Sequence, residues 1–211
     1  MRQDPQEALY RKHPAIFRQK DLPETVTCMC RGIECDDGWY VIIDSLCCVL
    51  EAHAALAGHP VVAAVQVKQK FGTLRFSVDD SCPWCEGAVE FAEIVSGHVC
   101  EASGRPGTAV VRKGWCRTLA DDLAKAGGFV PVDDVVPVPL EPDLPRGWQT
   151  LAGALAQLVA HVRTQVTLRF STAGGMFAVD GCEDDEWVSG AVAAARALAE
   201  RTDPGTSQSD A

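Results

Sequence analysis

Val65-Gln66-Val67-Lys68-Gln69-Lys70-Phe71-Gly72-Thr73-Leu74-Arg75-Phe76-Ser77-Val78-Asp79 and Val166-Thr167-Leu168-Arg169-Phe170-Ser171-Thr172-Ala173-Gly174-Gly175-Met176-Phe177-Ala178-Val179-Asp180 decide how this chain is read. Val65 to Phe76 and Val166 to Phe177 are both eleven steps, so the two stretches overlay without a gap. The more conspicuous match, Thr73-Leu74-Arg75-Phe76-Ser77 with Thr167-Leu168-Arg169-Phe170-Ser171, is a decoy that sets the second strand of one hairpin on the first strand of the other. Outward from the hairpins, each stretch is preceded by Gly-Trp, at Gly38-Trp39 and Gly147-Trp148. Each is followed by a matched run, Trp84-Cys85-Glu86-Gly87-Ala88-Val89 or Trp187-Val188-Ser189-Gly190-Ala191-Val192. An internal repeat constrains the fold before any local propensity does. Gaps then fall before the first strand, at Ala57-Gly58-His59-Pro60, and before the second tryptophan, at Glu183-Asp184-Asp185-Glu186.

Trp39, Ile42, Ile43, Leu46, Val49 and Leu50 recur at helical spacing, as do Trp148, Leu151, Leu155, Leu158, Val159 and Val162. Val61 to Val67 and Thr73 to Val78, then Val166 to Phe170 and Met176 to Val179, read as strand pairs. Glu86 to Ser96, stopped by Gly97, and Trp187 to Leu198 read as closing helices. The expected fold is α+β: two α-β-β-α repeats whose hairpins join edge to edge in one pseudo-twofold antiparallel sheet with helices, so that neither hairpin keeps an open edge. The expected boundaries are an arm and Cys-rich entry segment at 1–37, a first repeat at 38–97 and a small Cys-containing, knuckle-like insertion at 98–126. A Pro-rich linker at 127–145, a second repeat at 146–202 and a disordered tail at 203–211 complete the chain. Leu9, Tyr10, Ile16 and Phe17 make the arm a helical segment that docks on the body.

The 211 residues are 47% hydrophobic and carry a net charge of −10. Residues 1–140 hold 14 basic and 19 acidic side chains and residues 141–211 hold 5 and 10, so neither half is basic. Binding to a polyanion needs a cationic surface that releases counterions, so nucleic acid is the less favoured partner and an acidic face meeting a basic protein the more favoured one. No window approaches the roughly 20 uninterrupted apolar residues of a spanning helix, and the start Met1-Arg2-Gln3-Asp4-Pro5 lacks the apolar core of a signal peptide. A cytoplasmic protein is expected, in which ten cysteines are buried thiols, metal ligands or redox groups rather than disulfides.

Cys82-Pro83-Trp84-Cys85 has the spacing that lets two sulfurs face one ion, and Cys100 and Cys116 would complete a four-thiol zinc site. The competing reading makes these residues small buried hydrophobes. A thiol-redox reading is disfavoured because the flanking segment does not read as the strand-to-helix context of redox folds. Cys28, Cys30, Cys35 and Cys47 read as a cysteine-rich cap over the first helix or a second metal cluster, and Cys182 is matched to Cys82. His13, His53, His59, His98 and His161 stand in no nucleophile or zinc-hydrolase spacing and read as surface or satisfied residues. The carboxylate runs, including Asp133-Asp134, read as solvated ends; Asp79 and Asp180 either meet near the pseudo-twofold axis or cap turns. Trp39, Trp84, Trp148 and Trp187 plug the core, whereas Trp115, beside Arg112, Lys113 and Arg117, is the expected exposed recognition residue.

Thr27-Cys28-Met29-Cys30-Arg31-Gly32-Ile33-Glu34-Cys35-Asp36-Asp37-Gly38-Trp39, Phe71-Gly72-Thr73-Leu74-Arg75-Phe76 and Gly114-Trp115-Cys116-Arg117-Thr118-Leu119 together resemble a family of uncharacterised tailed-phage and prophage proteins. That family carries a TCMCWGxECGDGW opening, a KFGTLRF strand and a CEVCG…GGGWxRTLCxxH zinc-knuckle-like end. The resemblance covers roughly residues 9–125 and implies a phage setting rather than a mechanism. The knuckle's paired ligands would fall at Cys100 and Ser103 and at Ala120 and Leu123, of which only Cys100 is a ligand type. The expectation is a non-enzymatic phage accessory protein that binds a host or phage protein, as an inhibitor of a bacterial defence system, through Arg112, Lys113, Trp115 and Arg117. The alternatives are a zinc-stabilised nucleic-acid-binding or regulatory protein and a thiol- or metal-dependent enzyme; a homodimer remains open.

Overall fold

A two-residue turn fixes the register of each hairpin in the structure, a computed structural model that describes residues 1–132, 141, 143–163, 166–181 and 184–204. Asp133-Asp134, Pro137, Pro139, Pro142, Cys182, Glu183 and the tail beyond Pro204 lie outside the described residues. Strand β2 (Ala64–Lys70) turns into β3 (Thr73–Val78) through Phe71 and Gly72, both at positive φ, with Lys70 opposite Thr73. Strand β7 (Arg169–Ala173) turns into β8 (Met176–Asp180) through Gly174 and Gly175, also at positive φ, with Ala173 opposite Met176. Such paired positive-φ turns match the strand twist and hold a hairpin with two residues. Counted from the tips, the second hairpin lies two places beyond the gapless overlay: Leu74 matches Phe177 and Phe76 matches Val179, all four buried. A slip of two preserves the inward and outward alternation, so the apolar pattern alone cannot separate the two registers.

The order helix, strand, strand, helix occurs twice. The first unit is α2 (Tyr40–Ala57), β2, β3 and α3 (Pro83–Ser96); the second is α5 (Arg146–Val162), β7, β8 and α6 (Glu186–Ala199). The expected four-stranded sheet is not formed. Among the described residues, β2 pairs in parallel with β1 (Ile33–Glu34) on its other edge, and β7 and β8 make a sheet of their own. Helices join the units instead. A Cβ on Gly87 of α3 would fall on the Trp187 carbonyl oxygen, and one on Gly190 of α6 would fall on the Trp84 carbonyl oxygen. Two backbones can approach this closely only where both helices lack a side chain.

The duplicated Gly-Trp has an equally local cause. Gly38 donates its N–H to Glu101 O at 2.7 Å, and the Trp39 indole donates to Val99 O at 2.8 Å. Gly147 donates to Pro204 O at 3.4 Å, and the Trp148 indole donates to Ala199 O at 3.2 Å and to Thr202 O at 3.4 Å. In each unit the start of the first helix thus donates to carbonyls at, or a few residues beyond, the end of the last helix. Trp39, Trp148 and Trp187 are buried as expected; Trp84 is only half-buried.

The insertion exceeds a knuckle. Strands β4 (Thr108–Arg112) and β5 (Trp115–Leu119) form a hairpin, helix α4 (Asp121–Ala126) follows, and β6 (Val130–Pro131) returns to pair with β4. Residues expected to open the linker therefore belong to this sheet, where Pro131 occupies an edge strand that needs no N–H from it. The arm, helix α1 (Gln3–Lys12) and the turns after it, buries Leu9, Tyr10, Ile16 and Phe17. Segment Asp37–Ala57 is long and apolar enough to cross a membrane by length and composition, although Asp44 and Glu51 interrupt its apolar run. Its apolar face packs in the main core, and it carries buried Asp44.

Candidate functional site

The three motif segments meet in space. Thr118 Oγ1 donates to Gly72 O at 2.7 Å, and Gln69 Nε2 donates to Cys116 O, so the β2–β3 tip is tied to β5. Arg117 Nε donates to Glu101 Oε2 at 2.9 Å, and the same guanidinium pairs with Asp36. Burial works to raise the pKa of Glu101 and does so on balance, although Arg117 opposes it. Burial pulls Arg117 down, but Glu101 and Asp36 raise it overall and keep it cationic. These ties wall a cleft of about 440 Å³ lined by residues that include Met1, Asp36, Lys68, Gln69, Trp115 and Arg117.

Of the four expected binding residues, Trp115 and Arg117 line this cleft. Trp115 is 74% exposed, as the sequence suggested. Phe71, at the neighbouring tip, is 75% exposed and had not been singled out. Its signal was available, because a bulky residue before Gly72 in a two-residue turn must take positive φ, here 55°. Arg112 is turned away, donating to Gly127 O at 2.6 Å and lying over the Phe129 ring at 4.8 Å. Lys113 occupies the turn of the β4–β5 hairpin.

The expected four-thiol site is not assembled. Among the described residues, the grouping that includes Cys82 and Cys85 takes His53 as its third member, with one donor atom from each residue lying within 4.8 Å of the others. Cys100 belongs to a separate small core with Val110 and Leu119, and Cys116 lies on β5. Cys82 is the N-cap of α3, its sulfur accepting the Cys85 N–H at 3.5 Å. His53 Nε2 faces Cys82 Sγ at 3.7 Å, and the His53 ring stacks on Trp84 at 3.9 Å with the planes 5° apart. Burial and then the neighbouring His59 lower the His53 pKa. Burial and then the Cys82 contact push the Cys85 thiol up to about 12. Helix α3 follows β3, but the next strand, β4, lies in a different sheet, so among the described residues no βαβ redox unit surrounds the two cysteines. His53 escaped the sequence reading because 29 residues separate it from Cys82.

Cys82 is matched in α6 by Asp185, not by Cys182: Asp185 caps that helix by accepting the Val188 N–H at 3.0 Å. Burial works to raise the pKa of Cys100, but the Ser103 hydroxyl and the N–H groups of Ala120, Ser103 and Ala102 lower it overall. Hydrogen bonds thus stand where a knuckle would set further ligands. Cys28, Cys30, Cys35 and Cys47 form no metal-sized group among the described residues, and burial pushes Cys35 up to about 12. Asp79 accepts the Ala63 N–H and binds Gln19 and Arg18 at 3.2 Å, which makes it a turn staple; Asp180 pairs in register with Arg169 of its own hairpin.

Of the two roles expected for the histidines, surface or satisfied, His13 takes the second. It is buried, with Nε2 3.0 Å from Asp44 and Nδ1 2.8 Å from Glu51. Lys12 reaches both Asp44 oxygens at 2.7 Å, and Arg201 lies 3.5 Å from one of them. His13, Asp44 and Cys48 also fall within metal-sized distances. Two cationic side chains already occupy the carboxylate, so this is a charge network joining arm, α2 and the end of α6. Compared with family models, with curated proteins and with solved structures, the chain matches none.

Proposed function

We propose that the chain acts by binding a protein partner at the cleft between β2 and β5 and at the neighbouring β2–β3 tip, as a phage or prophage accessory protein in the host cytoplasm. The observation that carries this is the pair of large aromatic side chains held in water, Phe71 on the β2–β3 tip and Trp115 on strand β5, to which that tip is hydrogen-bonded. Exposed aromatics beside a formed cleft are the residues that dominate binding energy in protein interfaces. Phe71 adds a second argument. A bulky residue at positive φ carries a conformational cost of about 1–3 kcal/mol, which folding alone would remove by placing Asn or Gly there.

The partner is a host or phage protein with a basic contact surface, since the chain carries a net charge of −10. A defence component of the host is the narrower class of partner that the phage-like motifs suggest. The nucleic-acid reading is weaker, because Arg117 and Arg105 are engaged by carboxylates and Arg112 by a carbonyl. The reading is non-enzymatic. We further infer that the two α-β-β-α units are related by an approximate twofold between α3 and α6, supported by the reciprocal Gly87 and Gly190 contacts. The test is capture from host lysate by tagged full-length chain beside Trp115→Ala and Phe71→Asn. A protein retained by the wild type and lost by both variants supports the reading; one retained equally by all three contradicts it, and salt-sensitive retention of nucleic acid would replace it.

A further inference from the structure

We infer that His53, Cys82 and Cys85 bind one zinc ion through three protein donors and leave a fourth position to water. The donor set is two sulfurs and one imidazole nitrogen, the combination that suits zinc in tetrahedral geometry. Zinc–sulfur and zinc–nitrogen bonds of about 2.3 and 2.0–2.1 Å at tetrahedral angles separate S from N by roughly 3.6 Å, and His53 Nε2 stands 3.7 Å from Cys82 Sγ. The three donors come from rigid elements: His53 from α2, Cys82 and Cys85 from the first turn of α3. Trp84, between the cysteines, stacks flat on the His53 ring and fixes its direction.

The matching corner of the second unit shows what this scaffold carries when it is only structural. There Asp185 takes the place of Cys82 and Val188 that of Cys85, while Arg163 pairs with Asp185 at 2.7 Å and covers Trp187 at 5.1 Å. A cap, an apolar residue and a cation on tryptophan suffice to close that corner. The first unit has a metal-donor type at both of the matched α3 positions, and His53 lies on Trp84 where Arg163 lies on Trp187. Binding would release the two thiol protons to solvent and leave a neutral centre, Zn²⁺ with two thiolates and one imidazole. Cys82 and His53 are only half-buried, so water can reach the fourth position. His59, exposed on the turn after α2, holds the Pro60 carbonyl through Nδ1 at 2.9 Å and is not among the three donors.

The experiment uses full-length chain, reduced and freed of metal, given one equivalent of zinc, desalted and analysed for metal. Wild type, Cys100→Ser, Cys116→Ser and His59→Ala are expected to retain about one zinc per chain. Cys82→Ser, Cys85→Val and His53→Val are expected to lose it. Folding stays separable from binding: serine preserves the α3 cap, and valine is the residue α6 carries where α3 has Cys85. Circular dichroism of each variant checks this. Cobalt in place of zinc should give a thiolate charge-transfer band that disappears in the same three variants. Absence of zinc from the wild type, retention in His53→Val, or equal loss in Cys100→Ser or His59→Ala would overturn the inference.

Discussion

The two α-β-β-α units differ most where the end of their first helix meets the start of their last. In the second unit Arg163 lies over Trp187 and pairs with the cap Asp185; in the first, His53 lies over Trp84 and faces the cap Cys82. The tryptophan and the cap position are common to both corners, while the chemistry is not. Elsewhere the units agree closely, in the Gly-Trp that closes each helix end and in the glycine that lets α3 meet α6. Common features therefore serve folding, and features peculiar to the first unit, together with the insertion it touches, are where the proposed binding chemistry is placed.

The sharpest way to break this comparison is at the shared glycines. Gly38→Ala would set a Cβ on the Cys100 carbonyl, and Gly147→Ala would set one on the Asp203 carbonyl. Each should cost about 3 kcal/mol or more, lowering the thermal midpoint by roughly 6–12 °C. A loss at only one of the two would show that the helix-end contacts are not equivalent.

Asp44 sharpens the rule by marking its limit, because it is peculiar to the first unit and yet structural. Burial works to raise its pKa, but Lys12 and His13 lower it on balance. A depressed carboxylate contributes its stability fully above the unfolded aspartate pKa of about 3.9 and loses it as pH falls through the lower folded value. Asp44→Asn should cost about 2 kcal/mol at neutral pH, and the gap to wild type should close as pH drops below about 4. Chemical denaturation at several pH values reads both effects.

Arg163→Ala removes the second unit's half-exposed pair and its stacking on Trp187. A loss of about 1 kcal/mol in urea unfolding is expected, with zinc content unchanged. The smallest effect has the opposite sign: Phe71→Asn should raise stability by about 0.5 kcal/mol, because Asn-Gly suits a turn with two positive φ values. Thermal unfolding checks it, and a gain in stability together with loss of partner capture would separate the recognition role of Phe71 from folding.

Much of the fold was legible. The stripes from Trp39 and Trp148 give α2 and α5, and Thr73–Val78 is the observed β3. Both first strands lie three places later than expected, because each connection is only two residues, Phe71-Gly72 and Gly174-Gly175, and the strands run on into the residues read as turn. Strand β1, only Ile33–Glu34, and the joining of units by helices rather than strands depend on tertiary contacts that carry no periodic signal. Trp115 was legible because it had no counterpart. His53 was open to the same comparison, since Val162 stands at its place in α5, but a lone histidine inside an apolar helix gives no spacing to read.

The central claim is tested most directly by thermal midpoints measured in chelator for two matched pairs. Gly87→Ala and Gly190→Ala, shared by both units, should each fall by roughly 6–12 °C. His53→Val and Cys85→Val, peculiar to the first unit, should stay within about 3 °C of wild type. Equal losses in all four, or no loss at the glycines, would contradict the division between what folds this chain and what it uses to bind.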